Sequence, residues 1–381
     1  MKHMKKFLSL ALVSVMTAGM ASAAVAADGT FKIGAIGPLT GAAANYGTAV
    51  VNGAQIAVDE INAAGGINGA QIEYKGEDDE LDNEKSVNAY NALKDWGMQI
   101  LVGPTTSGCS IAVSEKTKAD NMFQITPSGS AADCVKYDNV FRVCFSDPNQ
   151  GARSAQYIGE HGLASKVGII YDSSDVYSSG IEATFEAEAA DQGIEIAVKE
   201  AFTADSNTDF SSQLQKCADA GVELIFLPIY YTQAGTILTQ ATMLGLECQY
   251  FGCDGLDGML DMDNFDTSLA EGVMLLTPFA ADAEDALTQN FVAAYKEAYG
   301  VTPNQFAADA YDAVYAIKAA IEQADITPDM DISAICEAMK TAMTEIQIDG
   351  LTGTITWTAD GEPDKDPKAV QIESGAYVSM Q

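Results

Sequence analysis

The stretch ILVGPTTSGCSIAVSEKTKADNMFQITPSGS, residues 100–130, decides the fold. It opens with a short apolar run, Ile100 to Gly103, and breaks at Pro104. Thr105, Thr106 and Ser107 then lead into a segment of helical spacing over 109–120. A second apolar run, Phe123 to Thr126, follows and ends in another hydroxyl-rich loop, Pro127 to Ser130. Strands apolar along their whole length, joined through a helix, are expected where helices cover both faces of a parallel sheet.

The same unit recurs in both directions. Strand-like runs lie at Phe31–Ile36, Gln71–Lys75, Val167–Tyr171, Val222–Ile229 and Tyr250–Gly252. Helical spacing fills Val50–Asn62 and about 83–96, 151–162, 179–192, 210–220 and 232–244. Repeated strand–helix units of this size predict a doubly wound α/β architecture. Breakers at Ser146–Gly151 and at Thr277-Pro278-Phe279 interrupt the series. Beyond them come helical stretches at about 284–299, 305–324 and 331–345, then short strands or a hairpin at Leu351–Trp357 and Ala369–Ile372.

The first residues read as a leader rather than as part of the fold. Lys2, Lys5 and Lys6 precede a short apolar stretch, Phe7 to Met20, and small residues follow in Ala-x-Ala pattern. This is the layout of a secretory signal peptide over residues 1–26, too short in its apolar part for a spanning helix. The expected location is periplasmic. Without the leader about 355 residues remain, enough for two domains. They carry 17 basic against 54 acidic residues, a net charge near −37, which excludes phosphate backbones and anionic membranes as partners. Seven cysteines in an oxidising compartment suggest some pairing with at least one left over, and Cys109 with Cys134 is the expected pair. No Cys-x-x-Cys occurs to suggest zinc.

Ligands of open parallel sheets bind at the carboxyl ends of strands. Here those ends carry Thr105 to Ser107, Ser128 and Ser130, Ser173 to Asp175, Tyr230 with Tyr231, and Asp254. Hydroxyls and free N–H groups at a helix start form a carboxylate site, although Ser107 and Ser130 also suit plain N-caps. Asp254, set between Cys253 and Gly255, suits a ligand ammonium, or a turn in which it bonds its own backbone. Tyr46, Tyr177 and Tyr230 offer aromatic walls, and Thr105 and Phe306 are candidates for a side-chain pocket. The downstream Asp257, Asp261, Asp263 and Asp266 lack the glycine of a calcium loop.

Enzyme chemistry is poorly served. His161 is the only histidine beyond the leader, so any Ser-His-Asp or Cys-His set must use it. Neither a nucleophile elbow nor a phosphate loop is present, and Gly34 to Gly41 does not fit the dinucleotide fingerprint. No cofactor is expected.

Ile36-Gly37-Pro38-Leu39-Thr40-Gly41 with Tyr46-Gly47, Gly53-Ala54, Asp59 to Asn62 and Gly65 to Gly69 resembles the opening of the branched-chain amino acid binding proteins of ABC importers. The likeness continues through Gly103 to Ser107, Thr126 to Ser130, Phe141-Arg142, Asp147 to Gly151 and Tyr311-Asp312-Ala313. The resemblance implies a type I periplasmic binding fold, two doubly wound lobes joined by three hinge crossings. Lobe 1 would comprise 27–147 and 280–352, and lobe 2 148–279 and 353–381. It implies that Ser107, Ser128 and Ser130 hold a ligand carboxylate and that Tyr46 lines the cleft. Tyr177 and Tyr230 would close over the ligand, and Asp254, where relatives often have glutamate, would take its ammonium. The disulfide of leucine-binding relatives would fall near Leu81 and Thr106 and is absent from the sequence. The implied protein is a monomer that hands a small neutral amino acid to ABC transporter permease subunits. The alternatives are a sensory receptor of the same fold, or a binder of an aromatic acid, amide or urea.

Overall fold

The computed structural model describes residues 29–365 and 367–380; the leader reading of residues 1–26 falls outside them. The chain builds two separate sheets. The first contains β1 (Thr30–Gly37), β2 (Gln71–Asp78), β3 (Ile100–Val102), β4 (Phe123–Thr126) and β5 (Val140–Arg142). They lie in the order β2-β1-β3-β4-β5, all parallel. The second contains β6 (Lys166–Asp172), β7 (Glu195–Phe202), β8 (Leu224–Leu227), β9 (Gln249–Gly252) and β10 (Met274–Thr277). After a small hairpin of β11 (Gln347–Gly350) and β12 (Gly353–Thr356), β13 (Lys368–Glu373) and β14 (Ala376–Ser379) extend the second sheet at its β10 edge. These last two run antiparallel.

Helices α1 (Ala44–Ala63), α2 (Asn83–Trp96) and α3 (Ser107–Asp120) follow strands of the first sheet. Helices α4 (Asp147–Glu160), α5 (Val176–Ala189), α6 (Ser211–Ala220) and α7 (Tyr231–Leu244) belong to the second. Then α8 (Ala286–Tyr299), α9 (Gln305–Gln323) and α10 (Ile332–Met343) return to the first, with α9 lying along α1. That contact needs Gly53, since a Cβ there would sit 2.1 Å from the Ala307 carbonyl oxygen.

The chain therefore passes between lobes three times: after β5, after β10 and after β12. The first and third passages are tied together. The Trp357 indole donates to Arg142 O at 2.7 Å, and Arg142 N donates to Gly361 O at 3.0 Å. Lys365 donates to Val143 O and pairs with Asp309 on α9, each at 3.0 Å. A buried cation and carboxylate each lose hydration, so this pair holds only because each supplies the other's missing partner.

Fully apolar strands placed both sheets correctly because β3, β4, β8 and β10 are buried on both faces. The half-exposed edge strands β7 and β14 were not read from the sequence, because their apolar residues form neither a long unbroken run nor a clean alternation. Two expectations need correction. The loop ending at Ser130 leads only into a single 3-10 turn, Ala132–Val135, so no second helix N-terminus stands there. All seven cysteines are free thiols, and the expected Cys109–Cys134 bridge is not formed. Cys134 instead directs its thiol to the Ser107 carbonyl, while Cys109 faces Asp79 and Ser86.

Candidate functional site

The carboxyl ends of both sheets face each other across the cleft, and six of the seven sequence-predicted residues meet there. Tyr46, Ser107, Ser128, Tyr177, Tyr230 and Asp254 line one cavity together with Thr105, Thr106, Gly255 and Phe306. The cleft is shut, with about 20 Å3 of water-accessible space. Ser130 is not on this wall; it lies directly behind it, its N–H bonded to the Ser107 hydroxyl.

The wall from the first lobe offers donors. Thr106 takes the N-cap position of α3 without a side-chain cap bond, so the first-turn N–H groups are not covered by it. Ser107 Oγ accepts from Ser130 N and Ala131 N, both at 3.1 Å. With both lone pairs engaged, its own proton is left to be donated into the cavity. Ser128 is committed the other way. Its hydroxyl donates to Thr105 O at 2.6 Å, so it presents acceptor capacity to the cavity.

The wall from the second lobe offers an acid and rings. Asp254 follows β9 in a short 3-10 turn and is 4% exposed. Tyr177 OH donates to its carboxylate at 2.7 Å and accepts from Gly255 N at 2.9 Å. Burial raises the Asp254 carboxyl from its ordinary value to about 6, against the stabilising hydrogen bond from Tyr177. Tyr230 packs on Tyr177 with centroids 5.2 Å apart and meets Tyr46 edge-on at 5.4 Å. Phe306, from the start of α9, lies 4.4 Å from Tyr46.

Direct bonds hold the two walls together. Tyr46 OH donates to Gly255 O and accepts from Tyr231 N. Gln305 donates through its amide side chain to Asp254 O at 2.9 Å, and Asn45 donates to Gly258 O at 3.0 Å. Gln305 and Asn45 were not selected from the sequence, and Tyr231 was noted there only as the neighbour of Tyr230. Gln305 and Asn45 reach backbone carbonyls and the Tyr231 N–H reaches the Tyr46 hydroxyl, all some 50 to 210 positions away, for which no local motif exists.

A roomier crevice of about 510 Å3 lies beside Asp257, between α8 and Tyr377. None of the seven residues reaches it, and Asp257 is already bonded to Gln305 N and Gly258 N. Among the described residues no group of three His, Cys, Asp or Glu is placed to hold a metal.

This cleft between two parallel-sheet lobes coincides with a match over residues 30–376 to the family model described as periplasmic binding protein. The chain belongs to that family. It is 30% identical over 342 residues to the leucine-, isoleucine-, valine-, threonine- and alanine-binding protein of Pseudomonas aeruginosa, covering 89% of this chain and 90% of that one. The branched-chain amino acid transporter substrate binding protein LivJ of Streptococcus pneumoniae, solved with isoleucine, superposes with a TM-score of 0.83 at 30% identity. The match covers 92% of this chain and 98% of that one. A leucine binding protein from Thermotoga maritima matches with a TM-score of 0.82 at 25% identity, covering 92% and 98%. The periplasmic binding protein therefore has the type I two-lobe fold of these relatives. No helix among its described residues is long and apolar enough to cross a membrane.

Proposed function

We propose that this periplasmic binding protein captures a small neutral amino acid of the branched-chain class between its lobes and delivers it to the permease subunits of an ABC importer. One observation carries the reading: a donor-rich wall holding Ser107 faces an acceptor wall holding Asp254 across a single cavity. A zwitterion has the charges that this pair complements. The Ser107 hydroxyl and the α3 N-terminus take the carboxylate. Asp254, oriented by Tyr177, takes the ammonium, and Ser128, whose proton is already spent on Thr105, assists as an acceptor there. Tyr46, Tyr230 and Phe306 surround the side chain.

The cleft's space of about 20 Å3 is too small for an amino acid, so capture requires the lobes to part about the three crossings and close again on the ligand. Closure lays Tyr177, Tyr230 and Asp254 over a ligand already held by the first lobe. The chain works as a monomer outside the cytoplasmic membrane after loss of residues 1–26, with lobe 1 as 27–147 plus 280–352 and lobe 2 as 148–279 plus 353–381. Calorimetry with leucine, isoleucine, valine, threonine and alanine tests the reading against their des-amino acids. Binding of the amino acids alone supports it, and equal binding of the des-amino compounds removes the ammonium site.

A further inference from the structure

No Leu, Ile, Val, Met or Ala lines the ligand cavity, whose walls are rings, hydroxyls and Asp254. A purely hydrocarbon side chain bound there packs on the rings but covers polar groups that it cannot pair. Most of those groups are already satisfied within the protein. Thr105 Oγ1 donates to Ile36 O, and Ser128 Oγ donates to Thr105 O. The Tyr46 and Tyr177 hydroxyls each donate one bond and accept another.

Thr106 is the exception. Of the residues lining the cavity, it alone has a fully buried side-chain oxygen with no hydrogen-bond partner. The residue is 5% exposed and sits at the N-cap position of α3, yet its hydroxyl bonds no N–H of that helix. Its inner neighbours do not relieve it. Ser86 Oγ and Asp79 Oδ2, gathered with Thr106 about the Cys109 thiol, are themselves without partners. A buried hydroxyl is seldom left orphaned in a native interior, since it then bears its whole desolvation penalty. The wall of the cleft thus holds one open hydrogen-bonding position.

That position is next to Ser107, the residue proposed to take the ligand carboxylate. In serine and threonine the side-chain hydroxyl is carried on Cβ, one carbon from the Cα that bears the carboxylate, so it stays near the carboxylate's own partners. We infer that Thr106 is a specificity-determining residue: its hydroxyl pairs with the side-chain hydroxyl of a bound threonine or serine, which the cleft prefers to their hydrocarbon counterparts valine and alanine. A site with a hydroxyl to satisfy rejects the analogue that leaves it unpaired. The inference rests on the proposed amino acid reading and narrows its ligand.

Calorimetry on the full mature chain with two pairs of probes, threonine with valine and serine with alanine, tests it. The wild type should bind threonine at least about tenfold more tightly than valine, and serine more tightly than alanine. Thr106→Val keeps the shape, deletes the hydroxyl and forfeits no cap bond, so the threonine-to-valine ratio should fall to within about threefold. Thr106→Ser retains the hydroxyl and should retain the preference, a rescue that a merely structural role would not produce. Thermal unfolding checks that each variant is folded, and the wild-type ratio decides even where one is not. Valine bound as tightly as threonine by the wild type, or a ratio unchanged in Thr106→Val, overturns the inference and leaves the parent reading standing. A wild type that binds no amino acid overturns the parent reading, and this inference with it.

Discussion

The two faces of the cleft solve opposite electrostatic problems with opposite means. The first lobe carries no cation on the cavity wall and presents hydroxyls and helix-start N–H groups, which on the proposed reading meet a carboxylate. The second lobe presents Asp254, buried and buttressed by Tyr177, which on the same reading meets an ammonium. A dipolar wall costs little when empty, because it carries no net charge and the Ser107 oxygen is already held by the Ser130 and Ala131 N–H groups. A buried carboxylate is costly when empty, and the rise of its pKa to about 6 is the sign of that cost. The contrast means that charge discrimination should concentrate on the second lobe and orientation on the first.

Removing Asp254 should break the contrast most. Asp254→Ala is expected to weaken amino acid binding by about 2 kcal/mol or more while leaving des-amino acids unaffected, as calorimetry against both sets would reveal. Ser107→Ala comes next, at about 1.5 kcal/mol, since it deletes one charge-assisted donor and strands two backbone N–H groups. Amino acids and des-amino acids should here lose equally; a loss confined to amino acids would misplace the carboxylate.

Proton concentration probes the same asymmetry without mutation. The ammonium needs Asp254 ionised, and in the empty cleft that carboxyl titrates at about 6. Affinity should be flat above about pH 7 and fall as pH drops through 6, approaching tenfold per pH unit well below it. The stability linkage has the other sense: with the folded value above the unfolded one, this group favours the empty folded state below its unfolded pKa and ceases to as pH rises through 6. Calorimetry and thermal unfolding between pH 4.5 and 8 would check both signs. The smallest effect belongs to Tyr177→Phe, about 1 kcal/mol, because the carboxylate remains and only its orienting hydroxyl is lost.

Much of this was legible in the sequence. The β3–α3–β4 unit was readable because strands buried on both faces must be apolar throughout. The strand ends advertised themselves by residue type, which is why six candidates share one cavity. Legibility failed where pattern and environment part company. Edge strand β7 alternates too weakly, and the short turn after Ser130 carries hydroxyls that mimic a helix start. The cysteines misled for a similar reason: compartment favours pairing, yet geometry sends Cys109 and Cys134 toward different partners.

Composition and periodicity by themselves determined the class of fold, the order of its elements and the chemical kind of residue at each strand end, because these depend on neighbours a few positions away. Which hydroxyl gives a proton and which receives one was decided only by tertiary structure. Ser107 is made a donor by Ser130 and Ala131, Ser128 an acceptor by Thr105, and Asp254 a poised carboxylate by Tyr177 and by exclusion of water. A hydrogen bond saturates, so the capacity left for a ligand is fixed by partners that only folding brings within reach.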